Sequence, residues 1–157
     1  MTIVSTILLS LLYVMIWGFS AQDGEESGGL SHAISEKVTD VLEAISEGEF
    51  TEEYREDLTT WLEHPIRKLA HFGEYAVMGI LMFGIWRPWR RMSPKTALLT
   101  IIAIMISASV DELHQFYVPD RFPSVADVLL DTCGGSCGLF VVHGITLAFQ
   151  NRRTSGH

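Results

Sequence analysis

The stretch SASVDELHQFYVPDRFPSVADVLLD, residues 107–131, places carboxylates, a histidine and an arginine between two strongly apolar segments. The preceding segment, residues 96–110, carries no charge and is rich in Ile, Leu and Ala. The following segment, residues 128–149, is interrupted by the ionisable residues Asp131 and His143. With its polar ends, each segment reaches the roughly 20 residues that a helix needs to cross a membrane. The stretch therefore predicts two membrane helices joined by a short polar loop.

Two more apolar segments precede this pair. Residues 2–19 carry no charge, and a second apolar run begins at Ile66 and ends at Trp86. The chain has 157 residues, of which 48 % are hydrophobic, more than a small soluble domain needs. We therefore expect an all-α polytopic membrane protein with one domain over residues 1–157. Its transmembrane helices are predicted at about 2–20, 66–86, 95–116 and 125–149.

The first segment has a second interpretation as a cleaved secretory signal. Gly18, Phe19 and Ser20 end it with small residues, and polar sequence follows. Against this, no basic residue precedes the apolar run, and the run is long for a signal sequence. We favour a retained membrane helix.

Charge is unevenly distributed and predicts the orientation of the helices. Residues 21–65 hold 13 acidic residues and two basic ones, within a chain of net charge −8. Basic residues cluster in RPWRRMSPK, residues 87–95, and at Arg152 and Arg153. Because cytoplasmic loops carry the excess of Lys and Arg, both termini are expected in the cytoplasm and residues 21–65 outside.

The acidic outer segment also carries an amphipathic pattern. Apolar residues recur there at helical spacing: Leu30, Ile34, Val38, Val41, Leu42 and Ile45, then Tyr54, Leu58, Trp61 and Leu62. We expect one or two amphipathic helices that rest on the mouth of the bundle as a lid. A solvated connector is the alternative.

Polar residues at the entry of the second membrane helix share one helical face. Lys68, His71 and Tyr75 follow i, i+3, i+7 spacing, and Glu74 lies beside them. At the exit of the third helix, Asp111, His114 and Gln115 share a face. The neighbouring Glu112 is expected about 100° away from that face.

The fourth helix begins with further charges at the same membrane level. Ser124 is a plausible N-cap with Asp127 at the N3 position, and Asp131 lies one turn deeper. Ionisable residues in membrane helices normally face the protein interior and pair with each other. With Lys68 and Arg121 as cations, the set predicts a polar pocket in the outer half of the bundle. The alternative is that these residues only cap three helix ends.

Small residues predict where helices approach closely. Gly134 and Gly138 form a small-xxx-small pair with Gly135 beside them, and Gly73 and Gly79 leave room on the second helix. On the fourth helix the two cysteines are four positions apart, a poor spacing for a disulfide. Cys133 and Cys137 are therefore expected to be reduced packing thiols.

Three segments in order resemble the pattern of VanZ-like membrane proteins: FSAQDGEES (19–27), RKLAHFGEYAVMGIL (67–81) and DELHQFYVPDRFPSVADVLLDTCGGSCG (111–138). The family pattern falls on Ser20, Gln22, Lys68, His71, Tyr75, Asp111, Glu112, Gln115, Pro119, Arg121 and Asp127. Where that family usually has Asn on the fourth helix, this chain has Asp131, and His114 is not carried over. The resemblance implies a multi-pass protein of the bacterial cytoplasmic membrane. It also implies a link to glycopeptide resistance, because the family's namesake is associated with low-level teicoplanin resistance.

Three functions are consistent with these residues. The favoured one is a pocket for a membrane lipid or a lipid-linked or amphiphilic envelope precursor, with no nucleic-acid partner and no cofactor expected. The ligand-binding set is Lys68, His71, Tyr75, Asp111, Glu112, Gln115, Arg121, Asp127 and Asp131. A membrane enzyme acting on such a lipid is the second, with catalytic candidates His71, Tyr75, Asp111 and Glu112. The third is a scaffold that binds partners through the acidic outer segment.

A second form of the enzyme hypothesis includes a metal ion. It is based on two pairs of residues with i, i+3 spacing. His71 with Glu74 and Asp111 with His114 have a spacing that lets facing helices supply N and O ligands. No metal is expected, and these four residues are the candidates if one binds.

Overall fold

The computed structural model describes residues 2–21, 24–46, 48–86, 92–119 and 121–154. Within these ranges all regular structure is helical: α1 (Thr2–Ser20), α2 (Gly24–Ser46), α3 (Glu52–Trp86), α4 (Pro94–Gln115) and α5 (Val125–Thr154). Four of these helices are long and apolar enough to cross a membrane. They are α1, α3, α4 and residues 125–152 of α5. The predicted all-α class with four spanning helices is confirmed.

The four long helices form one bundle with a small interior. Its buried core brings together side chains of α1, α3 and α4: Leu12, Ile16, Tyr75, Met78, Ile104 and Ala108. Tyr13 Oη and Ser107 Oγ, 2.5 Å apart, join α1 to α4. Many apolar side chains point outward instead, among them Ile3, Leu98 and Phe149. An apolar exterior of this kind is what a bilayer solvates.

Helix α3 is longer than the predicted membrane segment. It runs without interruption for 35 residues from Glu52, whereas the apolar pattern predicts a start at Ile66. At 1.5 Å per residue it is roughly 50 Å long, which exceeds the hydrocarbon core of a bilayer. Its N-terminal part therefore projects beyond the bundle. Pro65 lies inside the helix at the point where the apolar pattern begins.

Helix α2 packs against the projecting part of α3 and makes a helical hairpin with it. The buried face of α2 consists of small hydroxyl residues, Ser31, Ser35 and Thr39. Thr39 Oγ1 lies 3.1 Å from Thr59 Oγ1 across the hairpin. Arg55 holds the other end of the hairpin through Asp40 and Glu43.

The apolar stripe of α2 does not face the bundle as the lid prediction required. Leu30, Ile34, Val41 and Ile45 are all exposed. The small hydroxyl face takes the contact because it allows close backbone approach. Its hydroxyls are satisfied locally, as in the 2.8 Å bond from Ser35 Oγ to the Ser31 carbonyl.

Glycines bring α3 and α5 into backbone contact. A Cβ added to Gly138 would collide with the carbonyl oxygen of Ala76. A Cβ on Gly79 would meet the carbonyl of Gly135, and one on Gly134 would meet that of Phe72. These two helices therefore pack as closely as their main chains allow.

Two details of the small-residue prediction differ in the structure. Gly73 has nothing within 4 Å of an added Cβ, because its face of α3 does not meet α5. Cys133 and Cys137 are free thiols, as expected, but they are exposed rather than packed. They lie about 100° round α5 from Gly134 and Gly138, on its outer face.

The orientation was predicted from basic residues, and the structure describes only some of them. Arg87, Arg90 and Arg91 lie outside the described residues, as does the side chain of Arg153. Lys95 in the first turn of α4 and Arg152 near the end of α5 mark the end of the bundle opposite the α2–α3 hairpin.

Candidate functional site

A cavity of about 220 Å³ opens between α3, α4, α5 and the loop that joins the last two helices. We call it the polar pocket. Charged and polar residues dominate its lining: His64, Arg67, Lys68, His71, Glu112, Gln115, Arg121, Phe122, Asp127, Leu130 and Asp131. Seven of the nine predicted ligand-binding residues lie around it. Tyr75 and Asp111 do not line it.

Lys68 is bound to the start of α5. Its Nζ donates to Asp127 Oδ1 at 2.5 Å. Asp127 is held at the N3 position, because Ser124 caps the helix by accepting from the Ala126 N–H at 3.2 Å. A cation and an anion in contact neutralise each other, so Lys68 adds little net charge to the pocket.

Glu112 secures the loop that leads into α5. Its Oε2 accepts a hydrogen bond from the Ser124 N–H at 2.9 Å, and the residue is only 7 % exposed. The helical spacing predicts that Glu112 points away from Asp111. Instead both are buried, because the loop folds over the end of α4 and encloses Glu112 as well.

Asp111 and Tyr75 line a different cavity, of about 160 Å³, beside α1. It is mostly apolar and includes Trp17 and Ile106. Gln115 links the two regions, since its Nε2 donates to Asp111 Oδ2 at 3.3 Å while its side chain also lines the polar pocket.

His71 and Glu74 are neighbours without a hydrogen bond. His71 Nδ1 lies 3.6 Å from Glu74 Oε2, beyond hydrogen-bond distance. His71 lines the polar pocket, whereas Glu74 lies outside it. This pair forms an ion pair only when the imidazole is protonated.

Two arginines meet above His71. Arg67 lies one turn before His71 on α3, and Arg121 comes from the loop. Within the described chain neither guanidinium has an ion pair, and both Nε atoms are buried without a hydrogen-bond partner. Burial and the nearby charge of Arg67 lower the pKa of Arg121, against smaller opposing effects of Asp111 and Glu112. The pair is suited to receive an anionic group.

Arg67 is not among the site residues predicted from the sequence. The signal was present, because Arg67 and His71 are four residues apart and therefore share a face of α3. Lys68 was predicted instead, because it matches the VanZ-like pattern and shares a face with His71 and Tyr75.

A smaller cavity of about 90 Å³ adjoins the polar pocket beneath α2. We call it the apolar chamber. Its apolar lining consists of Phe19, Leu30, Ile34, Ile66 and Ala70, and Ser31 and Glu74 add two polar groups. Both cavities are lined by the same three residues, Arg67, His71 and Arg121.

The remaining candidates have varied positions. Asp131 is 2 % exposed, and its Oδ1 has no partner within the described chain. The ring of His114 packs against Trp17 with centroids 5.2 Å apart. Gln22 lies outside the described residues, Ser20 is buried and Pro119 is exposed.

No group of three or more His, Cys, Asp or Glu in the described ranges is arranged to hold a metal, so His71, Glu74, Asp111 and His114 do not assemble into the alternative site.

Comparison with known proteins gives one match. A protein-family model described as VanZ/LLP1 matches residues 5–148. Neither a search of curated proteins nor a search of solved structures returned a match.

Proposed function

The chain belongs to the VanZ/LLP1 family, and from that premise we propose that its polar pocket binds the anionic group of a lipid-linked or amphiphilic envelope ligand. The match covers most of the chain and confirms the family that the sequence motifs predicted. The four spanning helices fit a multi-pass membrane protein.

The observation that carries this proposal is the unpaired guanidinium pair. Arg67 and Arg121 converge on one pocket, and neither has a carboxylate partner among the residues described. The Nε–H donors of both arginines are buried without an acceptor, which is costly, and a bound phosphate or carboxylate would accept from them. Each planar guanidinium can offer two parallel N–H donors to such a group.

The roles of the cations differ from the sequence-based hypothesis. There Lys68 and Arg121 were the groups that grip the ligand. Because Lys68 is engaged by Asp127, we assign the direct contact to Arg67 and Arg121. Lys68 then fixes the position of α5 relative to α3.

We place the pocket on the outer side of a bacterial cytoplasmic membrane. Lys95 and Arg152 lie at the opposite end of the bundle, and the hairpin beside the pocket is strongly acidic. The positive-inside rule puts the basic end in the cytoplasm, with both termini.

Teicoplanin resistance is the finer form of the proposal. A lipoglycopeptide carries both apolar and ionisable groups, so the same pocket would accept it or the envelope precursor that it targets. Expression of the chain in a sensitive bacterium should raise the inhibitory concentration of teicoplanin, and Arg121→Gln should cancel the increase.

The enzyme alternative has one supporting contact. A partly buried imidazole beside a carboxylate, as in His71 and Glu74, is a common arrangement for a general base. Product formation from a bound lipid phosphate, abolished by His71→Gln with binding retained, would establish it.

Native mass spectrometry of the gently extracted protein tests the binding proposal. We expect an anionic adduct of lipid size on the unmutated chain. Arg121→Gln should weaken its binding by about tenfold, because one charge-assisted hydrogen-bonding pair contributes ~1.5 kcal/mol or more. Arg152→Gln, at the far end of α5, is the matched control and should retain the adduct.

Two results would oppose the proposal. One is an adduct that Arg67→Gln and Arg121→Gln leave unchanged, which would put the ligand elsewhere. The other is a folded protein that carries no adduct and binds no added alkyl phosphate, which would favour the scaffold hypothesis.

A further inference from the structure

We infer that the ligand is a chain-bearing phosphate whose head occupies the polar pocket and whose hydrocarbon chain leaves through the apolar chamber under α2. This inference rests on the proposed function and specifies its ligand class. It assigns a binding role to Phe19, Leu30, Ile34, Ile66 and Ala70.

The first argument is the shared wall of the two cavities. Arg67, His71 and Arg121 line both, so a group bound to the guanidinium pair is in contact with each cavity. One molecule that occupies both therefore passes between these three side chains.

The second argument is the change in polarity along this route. On α3, Arg67 and His71 alternate with Ile66 and Ala70, so charged and apolar side chains adjoin at the junction. Beyond it, Phe19 and the α2 residue Ile34 supply apolar surface. Glu74 is the one carboxylate in this lining, and it lies one turn beyond Ala70 on α3. A phosphate is favoured at the guanidinium groups, and methylene groups are favoured along Phe19 and Ile34.

The third argument concerns the exposed residues of α2. The apolar chamber, at about 90 Å³, has room for only the first few methylenes of a chain. The rest would continue over Leu30 and Ile34, which are exposed although they are apolar. A hydrocarbon chain lying there would cover part of the exposed apolar stripe of α2.

Charge selects the class of amphiphile. A neutral alcohol offers one oxygen to the donors of Arg67 and Arg121, too few to satisfy both, and a cationic amphiphile would be repelled by the two guanidinium groups. A phosphate has enough oxygens to accept from both arginines at once.

Photo-crosslinking tests where the chain lies. The probe is decyl phosphate with a diazirine on the third or fourth carbon, added to the full chain in phosphatidylcholine nanodiscs. We expect labelling of Ile34, Ile66 or Ala70 and loss of that labelling in Arg67→Gln and Arg121→Gln. Inorganic phosphate in excess should reduce it, and the matching diazirine decanol should not label these residues.

Two substitutions on α3 provide the steric test. Ala70→Phe fills the chamber and should abolish labelling of Ile34 and Ile66. Leu69→Phe adds the same ring on an exposed neighbour that does not line the chamber and should leave the labelling unchanged. If Ala70→Phe is not folded, Ile34→Trp narrows the same space from α2 and should abolish labelling of Ile66.

The outcomes separate this inference from the proposed function. Arginine-dependent labelling that falls instead beside α1 and α4, near Ile106, would overturn the chain route while the head site stands. Equal labelling by the diazirine decanol and the diazirine decyl phosphate would show that the chamber binds apolar chains without help from the arginines. That result would also overturn the inference. Labelling that is the same in the unmutated chain, Arg67→Gln and Arg121→Gln would contradict the proposed function as well.

Discussion

Gly138→Ala should lower the free energy of unfolding by about 3 kcal/mol, because overpacking a tight contact typically costs 1–3 kcal/mol or more. The new Cβ would meet the carbonyl oxygen of Ala76, which is main chain and cannot rotate aside. Helix α5 would have to move away from α3 along its length. Because the polar pocket lies between these helices, its geometry would change too.

Gly144→Ala on the same helix is the matched control. Nothing lies within 4 Å of its added Cβ, so no contact is disturbed. Alanine is the better helix former by up to ~1 kcal/mol, and the control should be neutral or slightly stabilised. Loss of helical circular dichroism during titration with a denaturing detergent measures both variants. Equal stability of the two would contradict the backbone contact between α3 and α5.

Glu112→Ala should destabilise the protein by about 2–3 kcal/mol, the cost of leaving a buried donor unpaired and removing a charge-assisted bond. The carboxylate holds the Ser124 N–H at the entrance of α5. Without it, the loop that carries Arg121 loses its anchor to α4. We therefore expect both lower stability and weaker binding of an alkyl phosphate.

Glu112→Gln separates the hydrogen bond from the charge. Its amide oxygen can still accept from Ser124, so less than half of the stability loss is expected. Leu113→Ala, at an exposed neighbouring position, is a control for helix propensity alone. Hydrogen exchange at the Ser124 amide provides the local measurement. Unchanged protection in Glu112→Ala would show that the loop is held by other contacts.

The four long helices could be predicted because each carries its own signal in hydropathy. Residues 96–110 and 128–149 need a bilayer whatever they pack against. The extension of α3 back to Glu52 could not be predicted in the same way. Its first turns are polar, and Pro65 interrupts the pattern although it does not end the helix.

Which side chains form the site was predictable in part. The charged residues at one membrane level were identified because burying them in lipid is costly. Their pairing depends on how α3 and α5 are rotated about their axes, which one sequence does not specify. Lys68 therefore proved to be engaged by Asp127, and Arg67 was overlooked.

The lid prediction for the amphipathic segment differs from the structure for a related reason, because the apolar stripe of α2 is exposed. Apolar periodicity predicts burial of the stripe that includes Leu30 and Ile34. Close packing through Ser35 and Thr39 was preferred, because small residues let the two backbones approach. Hydropathy alone does not predict packing through small hydroxyl residues.

The unbroken course of α3 has a mechanical consequence. One helix joins the hairpin to the pocket, and long helices bend most sharply at a proline. The point of least resistance is Pro65, which contributes no N–H to the helix and lies two residues before Arg67. A bend at Pro65 would change the direction of the hairpin relative to the bundle, next to the turn of α3 that carries Arg67.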